Sequence, residues 1–321
     1  NAIDAAVATA VALNVVEPYM SGIGGVGYMH IYDASTDDHT VLDYVGLTPV
    51  ATDISYFDTK LQSRGPLSPL VPGACSGWIE ALRKYGRMDT ITVFQPAIDY
   101  AEQGIVMTAK NAEFFSSNVT DLRKFQTGAE NYFPNGKPPT CGDILVQKDL
   151  AETFRNIATE GPEIFYKGSL GKKITDYVQE HGGLLTLEVL ANYHSSWKKP
   201  TQVQYRDYTV YAPAPPCQAI QYLQTLKIME GYNIADMGHN STEFLHHFIE
   251  ATKLSIADRA EYASIPNPPL KGLLSESYIQ KRRALIGEKA SYSGGERFTS
   301  QKTSNEVLPG QPPGWMLDEC T

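Results

Sequence analysis

Between residues 22 and 27 the chain carries four glycines, Gly22, Gly24, Gly25 and Gly27, and the segments on either side decide what they can do. Upstream, Ala5 to Val16 is rich in Ala and Val, Asn1 is a residue type that caps helices, and Asp4 falls in the first turn, where the helix dipole favours a carboxylate. A helix to about Val16 follows, ended by Glu17-Pro18. Downstream, Tyr28 to Tyr32 and Thr40 to Tyr44 read as strands around the polar turn Asp33 to Asp38, which makes a hairpin. Gly22, Gly24 and Gly27 formally satisfy G-x-G-x-x-G, but a dinucleotide site needs a strand before the glycines and a helix after them. Here the order is reversed. The glycines are therefore read as a tight backbone turn in which side chains would collide.

The same signals continue along the chain. Cys75 to Tyr85 and Ile91 to Gln103 read as helices closed by Gly86 and Gly104, because glycine enters the left-handed conformation cheaply. Further helices fit Leu150 to Glu160 and Leu170 to Glu180. Thr201 to Tyr211 alternates around Arg206-Asp207 and predicts a second hairpin, ended by Pro213, Pro215 and Pro216. Gln218 to Glu230 and Ser241 to Tyr262 follow as a helix pair, the second with Leu245, Phe248, Ile249, Thr252 and Ile256 at helical spacing. From Ser291 to Thr321 the chain is rich in Ser, Gly, Pro and Thr and reads as an extended, mobile connection. The remainder, 321 residues in all with 42% hydrophobic residues, suffices for a sizeable core, read as one domain.

Charge and spacing exclude several functions. A formal net charge of -9 with scattered basic residues argues against nucleic acid or an anionic membrane surface as partner. No apolar run approaches the roughly 18 residues of a membrane span. The seven histidines form no H-E-x-x-H motif, and the four cysteines, Cys75, Cys141, Cys217 and Cys320, are too widely spaced for a disulfide framework or a cysteine zinc site, so no metal is expected. Gly73-Ala74-Cys75-Ser76-Gly77 has its serine in the wrong place for a nucleophile elbow. Asn118-Val119-Thr120 and Asn240-Ser241-Thr242 fit the glycosylation pattern, which often arises by chance, and the compartment stays undetermined. Composition and spacing stop at a mixed α/β protein.

A family resemblance carries the reading further. Asn1 to Tyr28 resembles the opening signature of the gamma-glutamyltranspeptidase family of N-terminal-nucleophile hydrolases. Similar, in order, are Val71-Pro72-Gly73 with Gly77-Trp78, Tyr85-Gly86-Arg87, Pro96-Ala97-Ile98 with Ala101-Glu102-Gln103-Gly104, and Gln147 to Tyr166. His181 to Thr186, Tyr208 to Tyr211, Gly238 to Ser241, and Lys253-Leu254 with Ala257-Asp258-Arg259 continue the match. The resemblance implies an α+β fold, the four-layer αββα sandwich, with this chain as the large subunit and its sheets shared with a separate small subunit from the same precursor. It also implies autocatalytic cleavage before a threonine whose hydroxyl attacks a small-molecule amide, without metal or cofactor. Thr321 is then the nucleophile or flanks the cut, and Cys320-Thr321 is the processing region.

One departure bears on substrate. Where family members acting on gamma-glutamyl compounds carry L-D-G-R-E-T-A-P, with the Arg gripping the substrate α-carboxylate, this chain has Leu42-Asp43-Tyr44-Val45-Gly46-Leu47-Thr48-Pro49. Val45 stands in place of the Arg and Gly46 in place of the Glu, so Tyr44, Val45 and Gly46 are the candidate substrate-binding residues of an altered acyl pocket. The alternatives are an ordinary gamma-glutamyltranspeptidase anchored by another cation, such as Arg64 or a small-subunit residue, and a processed, inactive scaffold. A second departure, Pro215 to Ile220, replaces a Ser- and Gly-richer stretch and reads as drift in a turn.

Overall fold

The computed structural model describes residues 1–53, 55, 64–265, 267–291 and 307–314. Helix α1, Ala2–Val16, starts where the sequence places it: the Asn1 side-chain oxygen accepts from the amides of Ile3 at 2.8 Å and Asp4 at 3.1 Å, two of the donors that a helix start leaves without a partner. Strands β1, Tyr28–Asp33, and β2, Asp38–Asp43, form the first hairpin, and β5, Ser196–Lys198, joins them in the order β1-β2-β5. The contacts divide the chain into two compact units, Asn1–Met29 with Leu42–Trp197 and His30–Val41 with Lys198–Thr321, where the sequence is read as one domain.

The first unit is built on α1, α2 (Ala74–Tyr85), α3 (Thr90–Gln103) and helices Lys148–Glu160 and Ser169–Glu180. Val7, Val11 and Val15, four apart on one face of α1, enter a core with Phe94 and Ile98 of α3 and Phe154 and Ile157 of Lys148–Glu160. Each such side chain contributes about 1.5–3 kcal/mol by leaving water. Asp4 also reaches out of its own helix, accepting from the amides of Arg87 at 3.0 Å and Met88 at 3.2 Å, and so ties α1 to the turn after α2. The two helix-closing glycines turn out to act differently. Gly104 has φ of 91°, the left-handed cap the sequence predicts, whereas Gly86 is extended at φ of -66°. Gly86 is glycine for space: a Cβ there would lie 2.6 Å from the Leu82 carbonyl oxygen. Residues 105 to 145, unassigned from sequence, hold a two-residue ladder of β3 (Ile105–Val106) with β4 (Ile144–Leu145) and the helices Ala109–Ser117 and Gln126–Tyr132 around Met107, Phe115, Phe133 and Leu145.

In the second unit, β6 (Thr201–Tyr205) and β7 (Tyr208–Ala212) pair antiparallel with Tyr205 opposite Tyr208, so Arg206-Asp207 is the turn, with Arg206 at φ of 53°. Helix Ile220–Met229 packs on Thr242–Tyr262, which Ser241 caps by accepting from the Phe244 amide at 3.0 Å. The apolar stripe read on that second helix is not its buried face. Leu245, Phe248 and Ile249 are 41%, 44% and 49% exposed, while Glu250, Ala251, Leu254, Ser255, Ala257 and Asp258 are buried. The buried charges are tolerable because they have partners: Glu250 pairs with Lys253 at 2.7 Å and Asp258 with Arg282 at 3.1 Å. Of the tail, residues 307–314 have no helix or strand, yet they are held by hydrogen bonds to this unit.

Candidate functional site

Hydrogen bonds fix the backbone on both sides of Val45. The Asp43 carboxylate, at the end of β2, accepts from the Val45 amide at 2.9 Å and turns the chain. Tyr44 donates its amide to Gly27 at 2.9 Å and accepts from the Gly27 amide at 3.3 Å, and the Val71 amide donates to Leu47 at 2.9 Å. The Gly25 carbonyl accepts from Gly73 and Ala74, both at 2.9 Å, and thereby satisfies donors at the start of α2. The glycine segment is thus a brace between the loop after β2 and the start of α2. Its position after a helix and before a strand suits that use.

The loop is close-packed to the point of excluding side chains. A Cβ at Gly46 would lie 1.7 Å from the Val71 carbonyl oxygen, and one at Gly73 would lie 2.0 Å from the Tyr44 carbonyl oxygen. The Tyr44 ring lies where Cβ atoms on Gly77 and Gly27 would be, at 2.4 and 2.9 Å. Gly46 therefore cannot be exchanged for the Glu of the family motif on this backbone. Burial pushes the Tyr44 phenol up, opposed by its hydrogen bond with Trp78, so the ring is neutral. Val45 is half-buried, and residues 42 to 49 contain one acid, Asp43, and no Lys or Arg.

Two tyrosines that the sequence reading passed over support this loop. The Tyr193 hydroxyl donates to the Val45 carbonyl at 3.4 Å, and its ring stacks on Tyr166 with centroids 5.9 Å apart. Tyr166 in turn donates to the Pro72 carbonyl at 2.9 Å and accepts from the Ser76 amide at 3.0 Å. Burial is the first cause that pushes both phenols well above the ordinary range, so both act as neutral donors. Beside them lies a cavity of about 390 Å³, lined among others by Ser76, Glu80, Arg83, Tyr166, Tyr193 and Ser195. Ser76 donates to Ser195 there at 3.0 Å. No local pattern marks Tyr166 or Tyr193, because each meets its partners across 90 or more residues.

The remaining candidates lie elsewhere. Cys75 is buried and its thiol is pushed up to about 12 by burial, which removes it as a nucleophile at neutral pH. Arg64 forms an ion pair with Asp121, which Lys124 shares at 2.7 Å. His246 and His247 contact the carbonyls of Gly287 at 2.7 Å and Glu243 at 2.8 Å respectively. Among the described residues no three His, Cys, Asp or Glu gather as a metal site, and no helix is long and apolar enough to cross a membrane. Cys320 and Thr321 lie outside the described residues.

Comparison with known proteins assigns this arrangement. The structure superposes on a chain of Helicobacter pylori gamma-glutamyltranspeptidase with a TM-score of 0.88 at 30% identity, covering 95% of this chain and 92% of that one. It superposes on a cephalosporin acylase from Bacillus halodurans with a TM-score of 0.83 at 31% identity, covering 91% of this chain and 56% of the other. The α+β, N-terminal-nucleophile hydrolase class is thereby shown. The family model described as gamma-glutamyltranspeptidase matches residues 1–310, and the chain belongs to that family. Among curated relatives, a glutathione hydrolase proenzyme of Bacillus subtilis (strain 168) is 40% identical over 89% of this chain, and the acylase ACY 1 proenzyme of Pseudomonas sp. (strain SE83) is 38% identical over 92%. This chain spans 51% and 57% of their lengths, about half of the relatives it matches.

Proposed function

We propose that the chain is the large subunit of an amide-bond hydrolase or acyltransferase whose nucleophile is the N-terminal threonine of a small subunit cut from the same precursor. We infer further that its acyl group is not a plain gamma-glutamyl unit. The two-piece organisation is supported by relatives that are proenzymes about twice as long as this chain. Thr321, or a threonine that follows it, supplies the hydroxyl, with the threonine's own α-amine as base. The hydroxyl adds to the amide carbonyl, the oxyanion is held by small-subunit donors, and collapse releases the amine and leaves an acyl-enzyme. Water or an acceptor amine then takes the acyl group.

Val45 is the observation that carries the specificity. Overall identity does not choose between acylase and glutathione hydrolase, at 38% and 40%, so the choice rests on the loop. A substrate α-carboxylate placed there would meet Val45 and Asp43 instead of a guanidinium, a loss of about 2–5 kcal/mol where the contact is buried. Amides with an apolar or aromatic acyl part, or glutamyl units with a blocked α-carboxylate, suit the loop better. The alternative, a true gamma-glutamyltranspeptidase with a different anchor, is favoured by the Bacillus subtilis relative. Arg64 could serve it only by leaving Asp121, and that exposed pair is worth no more than about 1 kcal/mol.

The test compares kcat/KM for a gamma-glutamyl anilide and for neutral acyl anilides, in the processed wild-type protein and in Val45→Arg. The wild type should favour the neutral acyl group, and Val45→Arg should raise gamma-glutamyl turnover by at least about tenfold. Efficient gamma-glutamyl turnover by the wild type with no gain in Val45→Arg would establish the alternative anchor. Inactivity toward every anilide by correctly cut protein would leave the scaffold.

A further inference from the structure

The buried Asp258–Arg282 pair has no part in the site described above, and its hydrogen bonds converge on one short piece of backbone. Asp258 Oδ1 accepts from the Gly310 amide at 2.9 Å, and the Tyr262 hydroxyl donates to the Gly310 carbonyl at 2.6 Å. Arg282 donates to the Leu308 carbonyl at 3.1 Å and to Leu254 at 2.9 Å. Asp258 Oδ2 is completed by Tyr278 at 2.9 Å and Gln224 Nε2 at 3.1 Å. The fit is close as well as polar: a Cβ on Gly310 would lie 2.3 Å from the Tyr278 hydroxyl, and one on Gly272 would lie 2.0 Å from the Pro313 carbonyl oxygen. Ser291, further upstream, is held on the same helix Thr242–Tyr262, donating its amide to Glu250 at 3.1 Å and accepting from Lys253 at 2.6 Å.

An isolated structural ion pair needs no second segment of chain for its own stability. Here two charges and the Tyr262 phenol, all but shut off from water, bind backbone groups of residues 308–310, with Tyr278 holding Asp258 in place, in a stretch without helix or strand that leads toward Cys320 and Thr321. We propose that Asp258, Tyr262, Tyr278 and Arg282 form a clamp whose role is to position the processing segment, so that they are positioning residues for the autocatalytic cut. The inference rests on the processing reading given above. The cut itself is peptide-bond hydrolysis. The threonine hydroxyl adds to the carbonyl before it, the threonine nitrogen leaves to give an ester, and one water cleaves the ester to a carboxylate and the free threonine hydroxyl and amine.

Chain statistics give the size of the effect. With the clamp closed, roughly eleven residues separate the held Gly310 from Thr321; with it open, the next hold upstream among the described residues is at Ser291, roughly thirty residues away. Effective concentration falls as about the -3/2 power of tether length, so release should slow the cut by about fivefold.

The experiment uses the full precursor made by cell-free translation, with the uncut fraction followed by gel and intact mass during a chase. Gly310→Ala forces the segment off its seat, taking the Gly310 amide from Asp258 but leaving the Asp258–Arg282 ion pair itself, and Tyr262→Phe removes one hydrogen bond. Gly310→Ala should cut about fivefold more slowly than wild type, and Tyr262→Phe should slow the cut by a smaller factor. The material that has been cut should keep wild-type kcat/KM, with at most a small loss of melting temperature from the missing hydrogen bond, which general structural damage would not allow. Wild-type cutting rates in both variants, or losses of activity and melting temperature in step with the cutting rate, would overturn the clamp alone. A wild-type precursor that never cuts would overturn the processing reading and the clamp with it.

Discussion

The loop around Val45 and the clamp around Asp258 are both held firmly, by opposite means. In the loop, the closest approaches are to backbone carbonyls at Gly46 and Gly73 and to the Tyr44 ring at Gly77, and these critical residues are those with no side chain at all. In the clamp, long polar side chains reach through the interior, and their charges are compensated by one another and by carbonyls. Shape holds the first region and electrostatics the second. The difference teaches where each can change: the loop admits a new side chain at Val45, whose carbonyl and amide carry its contacts, whereas the clamp admits no single charge change.

The largest effect should follow from breaking the clamp's charge balance. Arg282→Met leaves Asp258 buried, with burial already pushing its carboxyl up and the opposing guanidinium gone. Denaturant titration of the full protein should register a loss of about 3–5 kcal/mol. The double replacement Asp258→Asn with Arg282→Met should recover part of it, because no uncompensated charge remains. A single-mutant loss below about 1 kcal/mol would mean that the region is held by packing after all, like the loop.

The converse change in the loop adds one carbon. Gly46→Ala puts a Cβ where the Val71 carbonyl oxygen sits at 1.7 Å, so the backbone must move, at a cost of about 1–3 kcal/mol. Val45→Ala, one residue away, should stay within about 1 kcal/mol, since Val45 is half-buried. Equal losses at 45 and 46 would show that side-chain burial, and not backbone approach, holds the loop.

The two regions also differed in how far the sequence revealed them. Gly22 to Gly27 announced a close-packed turn, because glycines grouped between a capped helix and a hairpin have few other uses. Asn1 and the Arg206-Asp207 turn were legible for the same reason, each acting within a few residues of itself. Periodicity failed on Thr242–Tyr262: it counts apolar residues, and this helix buries Glu250, Ser255 and Asp258 against partners such as Arg282 and Ser291 that lie far along the chain. Val45 was legible through the family resemblance alone. Tyr166 and Tyr193, which brace it, were not, since a tyrosine in a helix or loop carries no mark of a partner 90 or more residues away. The held segment at residues 308–310 was read as mobile because Pro and Gly signal only the absence of regular structure, not the absence of contacts.

A third region separates charge that is compensated from charge that is not. On the β1-β2 hairpin His30 Nε2 lies 3.2 Å from His39 Nδ1, and His39 stacks on Tyr211 with centroids 3.7 Å apart and on Tyr32 at 4.6 Å. The nearby carboxylates are already engaged, Asp37 by the Tyr32 hydroxyl at 3.0 Å and Asp38 by Lys199. Burial first, and then His39, lowers the His30 pKa from its ordinary 6.5. The folded state therefore binds protons less readily than the unfolded chain. Stability from this source is fully present above the ordinary imidazole value and is lost as pH falls through the lowered one. In thermal melts of the full protein from pH 7.5 down to about 5, the wild type should lose a small increment of melting temperature that His30→Gln does not lose. The clamp should respond in the opposite sense once broken: in Arg282→Met nothing from the guanidinium opposes the burial that pushes the Asp258 carboxyl up, so its melting temperature should fall less steeply toward low pH than that of the wild type. A wild-type slope equal to that of His30→Gln would place the acid sensitivity elsewhere and remove the hairpin from the comparison.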